Sequence, residues 1–333
     1  MALTADDIID RRRLRRRVLT WRILALVALA ALIVALAAAG GAFTSFSSKG
    51  SDHIARVRIS GFISDDDKLL ELLDELGKKN RVKAVILDIS SPGGSTVGGE
   101  AIYEAVRELA GKKPVVASVG TLAASAAYMI ACGTDQIVSR RSSIVGSIGV
   151  LFQYGDVSTL FDKIGVKVDA IKSAPLKAEP SPFHPASEEA KQMIGRLIDD
   201  SYRWFVDLVA ERRGMDRTRA LALADGSIFT GAQGLANGLV DRIGGEETAR
   251  KWLVDEKGVD DALKIVDWKP KRDDDGLLPG SVSLAGLQRL LSGQSGPLTL
   301  RQVREFLGDG LFLDGLQSVM QTSSGVSGST QSR

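Results

Sequence analysis

The sequence predicts an α/β domain with a largely parallel sheet. Three observations carry this. Apolar runs of strand length alternate with amphipathic runs of helix length along residues 54–257. The run "RVKAVILDI" (residues 81–89) is almost continuously apolar, as a strand covered on both faces must be. Glycine- or proline-bearing turns separate the runs. The chain has 333 residues, 44% of them hydrophobic and 25% charged, enough for one large core or two small ones.

Each element follows from its pattern. "HIARVRISG" (53–61) alternates apolar and polar residues and predicts a strand. "DKLLELLDELGKK" (67–79) has helical apolar spacing, with a stop at Gly77. After the strand at 81–89, "SPGGSTVGG" (91–99) predicts a loop and "EAIYEAVRELAGKK" (100–113) an amphipathic helix. "PVVASVG" (114–120) predicts a strand, and "GTLAASAAYMIACGTD" (120–135) the buried helix after it. "QIVSR" (136–140) and "SIGVLFQ" (147–153) predict short strands, and their pairing between helices suggests a ββα unit repeated around a spiral. "VSTLFDKIG" (157–165) and "VKVDAIKS" (166–173) continue the alternation. Residues 187–213 predict one long helix capped by "SEEA". "GAQGLANGLVDRIGG" (231–245) closes a helix with glycines at turn positions, and "EETARKWLVDEKG" (246–258) is a further helix.

Both ends differ in character. Arg11, Arg12, Arg13, Arg15, Arg16 and Arg17 form a basic cluster, and from residue 23 to 43 there is no charge. An uncharged span of about 20 residues matches a bilayer core, whereas a cleaved signal peptide has an apolar core of about 7–15 residues. The expectation is an uncleaved transmembrane anchor at 23–43 after a cytoplasmic basic segment at 1–22, although "AAAGGA" also suits a cleavage site. The linker 44–53 and a catalytic domain at 54–268 would then lie outside the cytoplasmic membrane. The C-terminal extension, 269–333, begins with a charged linker. It holds two short amphipathic stretches, "LAGLQRLLS" and "RQVREFL", and ends in a polar, low-complexity tail expected to be disordered. The net charge of +2 gives no reason to expect nucleic acid as a partner.

Ser125 is the first chemical candidate. It stands at the predicted start of a helix among Ala123, Ala124, Ala126 and Ala127, small residues that suit either a substrate backbone or close helix packing. A serine nucleophile needs a base. The chain has two histidines: His53 lies at the membrane-proximal edge, and His184 lies between prolines in "PSPFHP". There is no GxSxG elbow either, so a histidine triad is poorly supported. A lysine serves as base where apolar surroundings depress its pKa. Lys177, in "IKSAPLKAEPSPFHP", is that candidate, or it is an ordinary solvated lysine; a pairing with Glu179 would count against it. The amides of Gly93 and Gly94 in "SPGG" suit an oxyanion, or the glycines simply make a tight turn. No GxxxxGK[ST] pattern is present. The lone cysteine, Cys132, reads as a buried structural residue.

Together, "SPGG", "GTLAASAAYMIACGTDQIVSRRSSIVGSIGV" and "KSAPLKAEPSPFHPASEEA" resemble the bacterial signal peptide peptidase A family, SppA, over residues 54–257. The resemblance implies a membrane-anchored Ser–Lys serine protease on a crotonase-like, Clp-protease-like ββα spiral, needing no metal or other cofactor. It implies Ser125 as nucleophile, Lys177 as general base, Ser147 as the residue that orients the lysine, and Gly93 and Gly94 as oxyanion donors. It implies a homo-oligomeric ring with a shared catalytic cavity, acting on apolar peptides such as signal-peptide remnants in the inner membrane. Two alternatives accompany it: a stomatin-associated type of membrane protease acting on a scaffold protein, and a non-proteolytic crotonase-fold module binding an acyl-CoA or a partner. The sequence departs from the family at Ala126 and Ala127, where glycines are common, and at Ala174.

Overall fold

A computed structural model describes residues 21–25, 27–28, 50–271 and 317–319. Residues 21–25 and 27–28 are helical and belong to a separate unit of the chain. Most of the expected anchor at 23–43 and of the C-terminal extension lies outside the described residues, and among those described no helix is long and apolar enough to cross a membrane.

The main unit is built on one nine-stranded sheet. In chain order its elements are β1 (His53–Ile63), α1 (Asp67–Lys78), β2 (Val82–Ser95), α2 (Thr96–Ala110), β3 (Val115–Ala124), α3 (Ala126–Cys132), β4 (Gln136–Ser139) and β5 (Ile144–Gly146). They continue with α4 (Ser158–Lys163), α5 (Glu188–Arg213), α6 (Arg217–Ala222), β6 (Ile228–Thr230), α7 (Gly231–Asn237), β7 (Arg242–Ile243), α8 (Glu246–Lys257), β8 (Lys264–Trp268) and β9 (Gln317–Val319). The spatial order is β6-β5-β3-β2-β1-β8. Pairing is parallel except β5–β6 and β2–β9.

The sheet is buried on both faces. Val85, Leu87 and Ile89 of β2 join the main core with α1, α2, α3 and α5, while Ala84 and Ile86 join a second core under Ala249, Trp252 and Leu253 of α8. A strand packed on both sides cannot afford polar residues at alternate positions, which is why 81–89 reads as a continuous apolar run. β3 forks the sheet: residues 116–119 pair with β4, and residues 122–124 pair with β5.

Several expectations are corrected. The loop expected at 91–99 divides between the end of β2 and the start of α2, where the Ser95 side chain caps the helix by accepting from Gly98 N–H at 3.1 Å. Gly77 lies inside the last turn of α1, and Lys79 closes it in extended conformation. The strand expected at 147–153 lies earlier, as β5. Residues 166–173 form no strand. β8, which no pattern flagged, adds to the outer edge of β1.

Candidate active site

The candidate site is built where β3 and β5 end together beside β2. Ser91 of β2 pairs with Ala123 of β3, and Ala124 of β3 pairs with Gly146 of β5. The residues that follow the second pair are Ser125 and Ser147, so the parallel register makes them neighbours. Ser125 N–H donates to Gly146 O at 2.8 Å, and Ser147 N–H donates to Ser227 O at 2.8 Å. Both serines are buried, Ser125 to 1% exposure. Both have left-handed backbone, φ 57° at Ser125 and φ 52° at Ser147. Ser125 is the turn between β3 and α3, a sharp strand-to-helix turn made without the GxSxG pattern.

Only one other non-glycine residue among those described has positive φ: Ala178, at 61°, next to Lys177. Each such residue costs of order 1–3 kcal/mol and persists only where its surroundings over-determine it, most often at functional sites.

The glycines around the site serve close approach. A Cβ on Gly94 would lie 1.9 Å from Ile63 O. A Cβ on Gly99 of α2 would lie 2.9 Å from the Ala126 Cβ. Ala126 and Ala127 are fully buried. The methyl of Ala126, at a position where the resembled family commonly has glycine, is therefore accommodated by a glycine on the facing helix. Its smallness serves helix packing rather than room for a substrate.

Gly93 has φ 105°, and its N–H donates to Ser91 Oγ at 3.1 Å; that hydroxyl in turn donates to Gly61 O at 2.6 Å. Sequence reasoning passed over Ser91. The signal was a serine two residues before a glycine turn, a spacing at which a hydroxyl accepts from the backbone.

Lys177 is placed differently. It lies in an exposed turn, where its N–H donates to Ala174 O at 3.1 Å, and its side chain makes no hydrogen bond or ion pair among the described residues. The structure thus brings Ser125, Ser147 and the Gly93–Gly94 loop together, but joins Lys177 to none of them. Glu179, the carboxylate expected to compete for Lys177, pairs instead with Lys172, and His184 Nε2 lies 3.3 Å from it. The bond from Lys172 holds the Glu179 carboxyl below its usual range. His53 is buried against Trp268, whose Nε1–H donates to its Nε2 at 3.0 Å. It pairs with Val82 at the start of β2, the opposite end from Gly93.

Cys132 is buried, and burial pushes its thiol up to about 11, which keeps it in the unreactive thiol form. It ends α3, which is held at two points: Arg212 Nε donates to Cys132 O at 2.9 Å at its end, and Tyr128 OH donates to Leu239 O at 2.8 Å from its first half. No group of residues suited to a metal ion is found among the described residues.

A small-residue, strained serine turn at the carboxyl ends of parallel strands, beside a glycine loop, is the geometry of an α/β hydrolytic enzyme with a serine nucleophile. Comparison with known proteins defines the class further. Residues 107–260 match the model of peptidase family S49, and residues 59–147 match that of Clp protease. A protease-named protein of Methanocaldococcus jannaschii is 42% identical over 184 residues, 55% of this chain and 59% of that protein. Another, of Synechocystis, is 37% identical over 217 residues, 65% of this chain and 78% of that protein. A protein of Enterococcus faecium that carries the name signal peptide peptidase SppA is 34% identical over 232 residues, 64% of this chain and 66% of that protein. The chain belongs to peptidase family S49, the SppA family of serine peptidases.

Proposed function

We propose that the chain is a membrane-anchored serine endopeptidase in which Ser125 is the nucleophile and Lys177 the general base. The observation that carries this reading is backbone strain. Among the described residues the only non-glycine positions with positive φ are Ser125, Ser147 and the neighbour of Lys177. Three strained positions, separated in sequence, fall on or beside the three residues that a Ser–Lys mechanism uses.

The chemistry follows. Neutral Lys177 takes the Ser125 hydroxyl proton as Ser125 Oγ attacks a peptide carbonyl. The resulting oxyanion is received by amides of the Gly93–Gly94 loop, with Gly93 N–H turning from Ser91 Oγ to the substrate. The leaving amine takes the proton from the lysine, and an acyl-enzyme forms. Water, giving its proton to the same lysine, then attacks the acyl carbonyl; the Ser125 Oγ–acyl bond breaks and the lysine returns the proton to Ser125 Oγ. The Ser147 hydroxyl makes no hydrogen bond among the described residues, so it is open to orient the lysine.

A lysine is a base at neutral pH only when shielded from water, and assembly supplies the shield. No residue from 151 to 186 is buried, and Leu160, Ile164, Val166, Val168 and Ile171 are exposed, Ile171 to 107%. Such an apolar stretch marks an interface. A homo-oligomer would cover it and seat Lys177 beside Ser125. Apolar peptides, signal-peptide remnants among them, are the proposed substrates, reached from the outer face of the cytoplasmic membrane.

The test is hydrolysis of casein and of an apolar fluorogenic peptide by the parent chain, Ser125→Ala and Lys177→Ala. The parent is expected to cleave, with both variants reduced by about 10³-fold or more. Equal cleavage by Ser125→Ala would end the assignment.

A further inference from the structure

We propose that the end of the sheet where the strands begin is a membrane-facing surface, on which Lys78, Lys79, Arg81, Lys83, Lys112 and Lys113 bind the anionic phospholipid head groups of the bilayer that holds the chain. The proposal rests on the membrane-anchored reading above; the cluster itself rests on packing.

Two Gly-Lys-Lys turns make the surface. Residues 77–83, "GKKNRVK", join α1 to β2, and residues 111–113, "GKK", join α2 to β3. β2 and β3 are parallel neighbours, with Val85 paired to Val115, so the two turns emerge side by side. Contacts tie them together: Lys113 Nζ donates to Val82 O at 2.8 Å and to Lys79 O, and a Cβ on Gly77 would lie 3.1 Å from Lys112 Cδ. Lys113 is half-buried there, and its burial and the like charge of Lys83 hold its ammonium below the usual range. The other five cations are exposed.

The cluster stays cationic after its partners are counted. Lys78 pairs with Asp74 at 2.5 Å, Lys79 with Glu75 at 3.4 Å, Lys83 with Asp52 at 3.1 Å and Lys112 with Glu108 at 2.6 Å. Six cations against these four carboxylates leave two positive charges, and Arg81 makes no side-chain ion pair or hydrogen bond among the described residues. Residues 50–271 as a whole hold 30 basic and 32 acidic residues, so the surplus belongs to this corner and not to the domain. Exposed ion pairs are weak in water, and a surface dense in phosphates can replace them.

Position in the chain selects a bilayer over other anions. β1 starts at this same end: His53 pairs with Val82, and its N–H donates to Arg81 O at 2.9 Å. The expected linker, 44–53, therefore leads from the expected anchor at 23–43 directly to the cluster, and a linker of that length spans at most about 35 Å. A basic surface tethered so close meets anionic head groups at high effective concentration. One consequence concerns substrate. Ser125 follows β3, which starts beside the cluster at Val115, so with this end on the bilayer the serine stands about 33 Å from the head groups. A peptide must then project from the membrane to be cut.

The experiment uses the full chain in vesicles of phosphatidylcholine, alone or mixed with an equal part of phosphatidylglycerol. A fluorophore is placed on Asn80→Cys, within the cluster, or on Asp65→Cys, beyond the other end of β1; both sites are exposed, and Cys132 is buried and stays unlabelled. Quenching by a spin label on the lipid head groups is measured. On the anionic vesicles quenching at position 80 is expected to rise about threefold over phosphatidylcholine and to fall back in high salt, with position 65 unchanged. Lys78→Gln, Arg81→Gln and Lys83→Gln together should abolish the rise; Lys113, which bonds to backbone carbonyls, is left in place. Equal quenching on both lipids, an equal rise at position 65, or a rise that survives the triple variant overturns the proposal. Reversal by inorganic phosphate but not by chloride at the same ionic strength also overturns it, and assigns the cluster to free phosphate. An alkaline wash separates anchor from surface. A chain that stays on both vesicles after the wash, with no rise at position 80, keeps the anchor and loses the basic surface. A chain washed off both, after showing the rise on anionic vesicles, loses the anchor and keeps the surface.

Discussion

The two halves of the candidate site differ in how they are held. Ser125 and Ser147 sit at the ends of paired strands, buried, each with its backbone N–H bonded to a carbonyl at 2.8 Å. Lys177 sits in a segment of which no residue from 151 to 186 is buried. On the proposed dyad, the nucleophile side is finished by the fold of one chain and the base side is not. If the proposed dyad holds, the difference teaches that strain and burial fix the nucleophile within one chain, while the proton acceptor would be completed by packing from elsewhere.

The sharpest way to break this contrast is to remove each side's key group and compare stability with activity. Lys177→Ala is expected to lower kcat by about 10³-fold with the stability of the single chain unchanged, because there the side chain is exposed and without partners among the described residues. Gly94→Ala tests the rigid half. Its Cβ would stand 1.9 Å from the Ile63 carbonyl oxygen. The backbone must shift, at a cost of about 3 kcal/mol or more, read as a lower urea midpoint. If Gly94→Ala folds as stably as the parent, the rigid half is softer than the packing implies.

A smaller effect is expected from the exposed apolar face. Leu160→Asp with Ile171→Asp should change monomer stability by less than about 0.5 kcal/mol each, as is usual for surface positions. The same pair should reduce the native mass measured by light scattering, and lower kcat/KM about tenfold. An unchanged native mass would show that this face is not an interface, and the contrast would then need another explanation.

How much was legible in the sequence follows the same division. β2 and β3 could be read because burial on both faces leaves a continuous apolar run, and α5 because Ser187 accepts from Ala190 N–H at its start. Ser125 could be singled out as a hydroxyl among buried alanines, but its left-handed backbone could not. That conformation falls where β3 and β5 end side by side, at the pair of Ala124 with Gly146, a tertiary fact. The end of β2 was hidden because Pro92, Gly93 and Gly94 read locally as a loop, whereas pairing with β1 extends the strand through them. β8 was missed because its five residues, "KIVDW", carry a short pattern, and its place is set by partnership with β1. The segment 166–173 was misread for the opposite reason: its alternation is real, but no strand edge among the described residues receives it.

The smallest effect concerns what keeps the exposed half in shape. The Glu179 side chain is 6% exposed and pairs with Lys172; its carboxylate also accepts from Ser181 N–H at 3.2 Å and lies beside His184. These contacts tie together the two ends of the turn that carries Lys177 and the left-handed Ala178. The bond from Lys172 lowers the Glu179 pKa in the folded state. The sign follows from linkage: a carboxyl whose folded pKa is depressed contributes its stability above the unfolded value, about 4.3, and loses it as pH falls through the folded value. The turn should therefore stay protected at neutral pH and open on acidification below the ordinary carboxylate range. Glu179→Gln should make the turn open already at pH 7, seen as faster amide exchange across residues 172–184, and lower kcat/KM about threefold by loosening the base without removing it. Exchange across β3 and α3 should not change. If Glu179→Gln leaves exchange in the turn as slow as in the parent at pH 7, the ion pair is a bystander and Lys177 is positioned by contacts from outside its own loop.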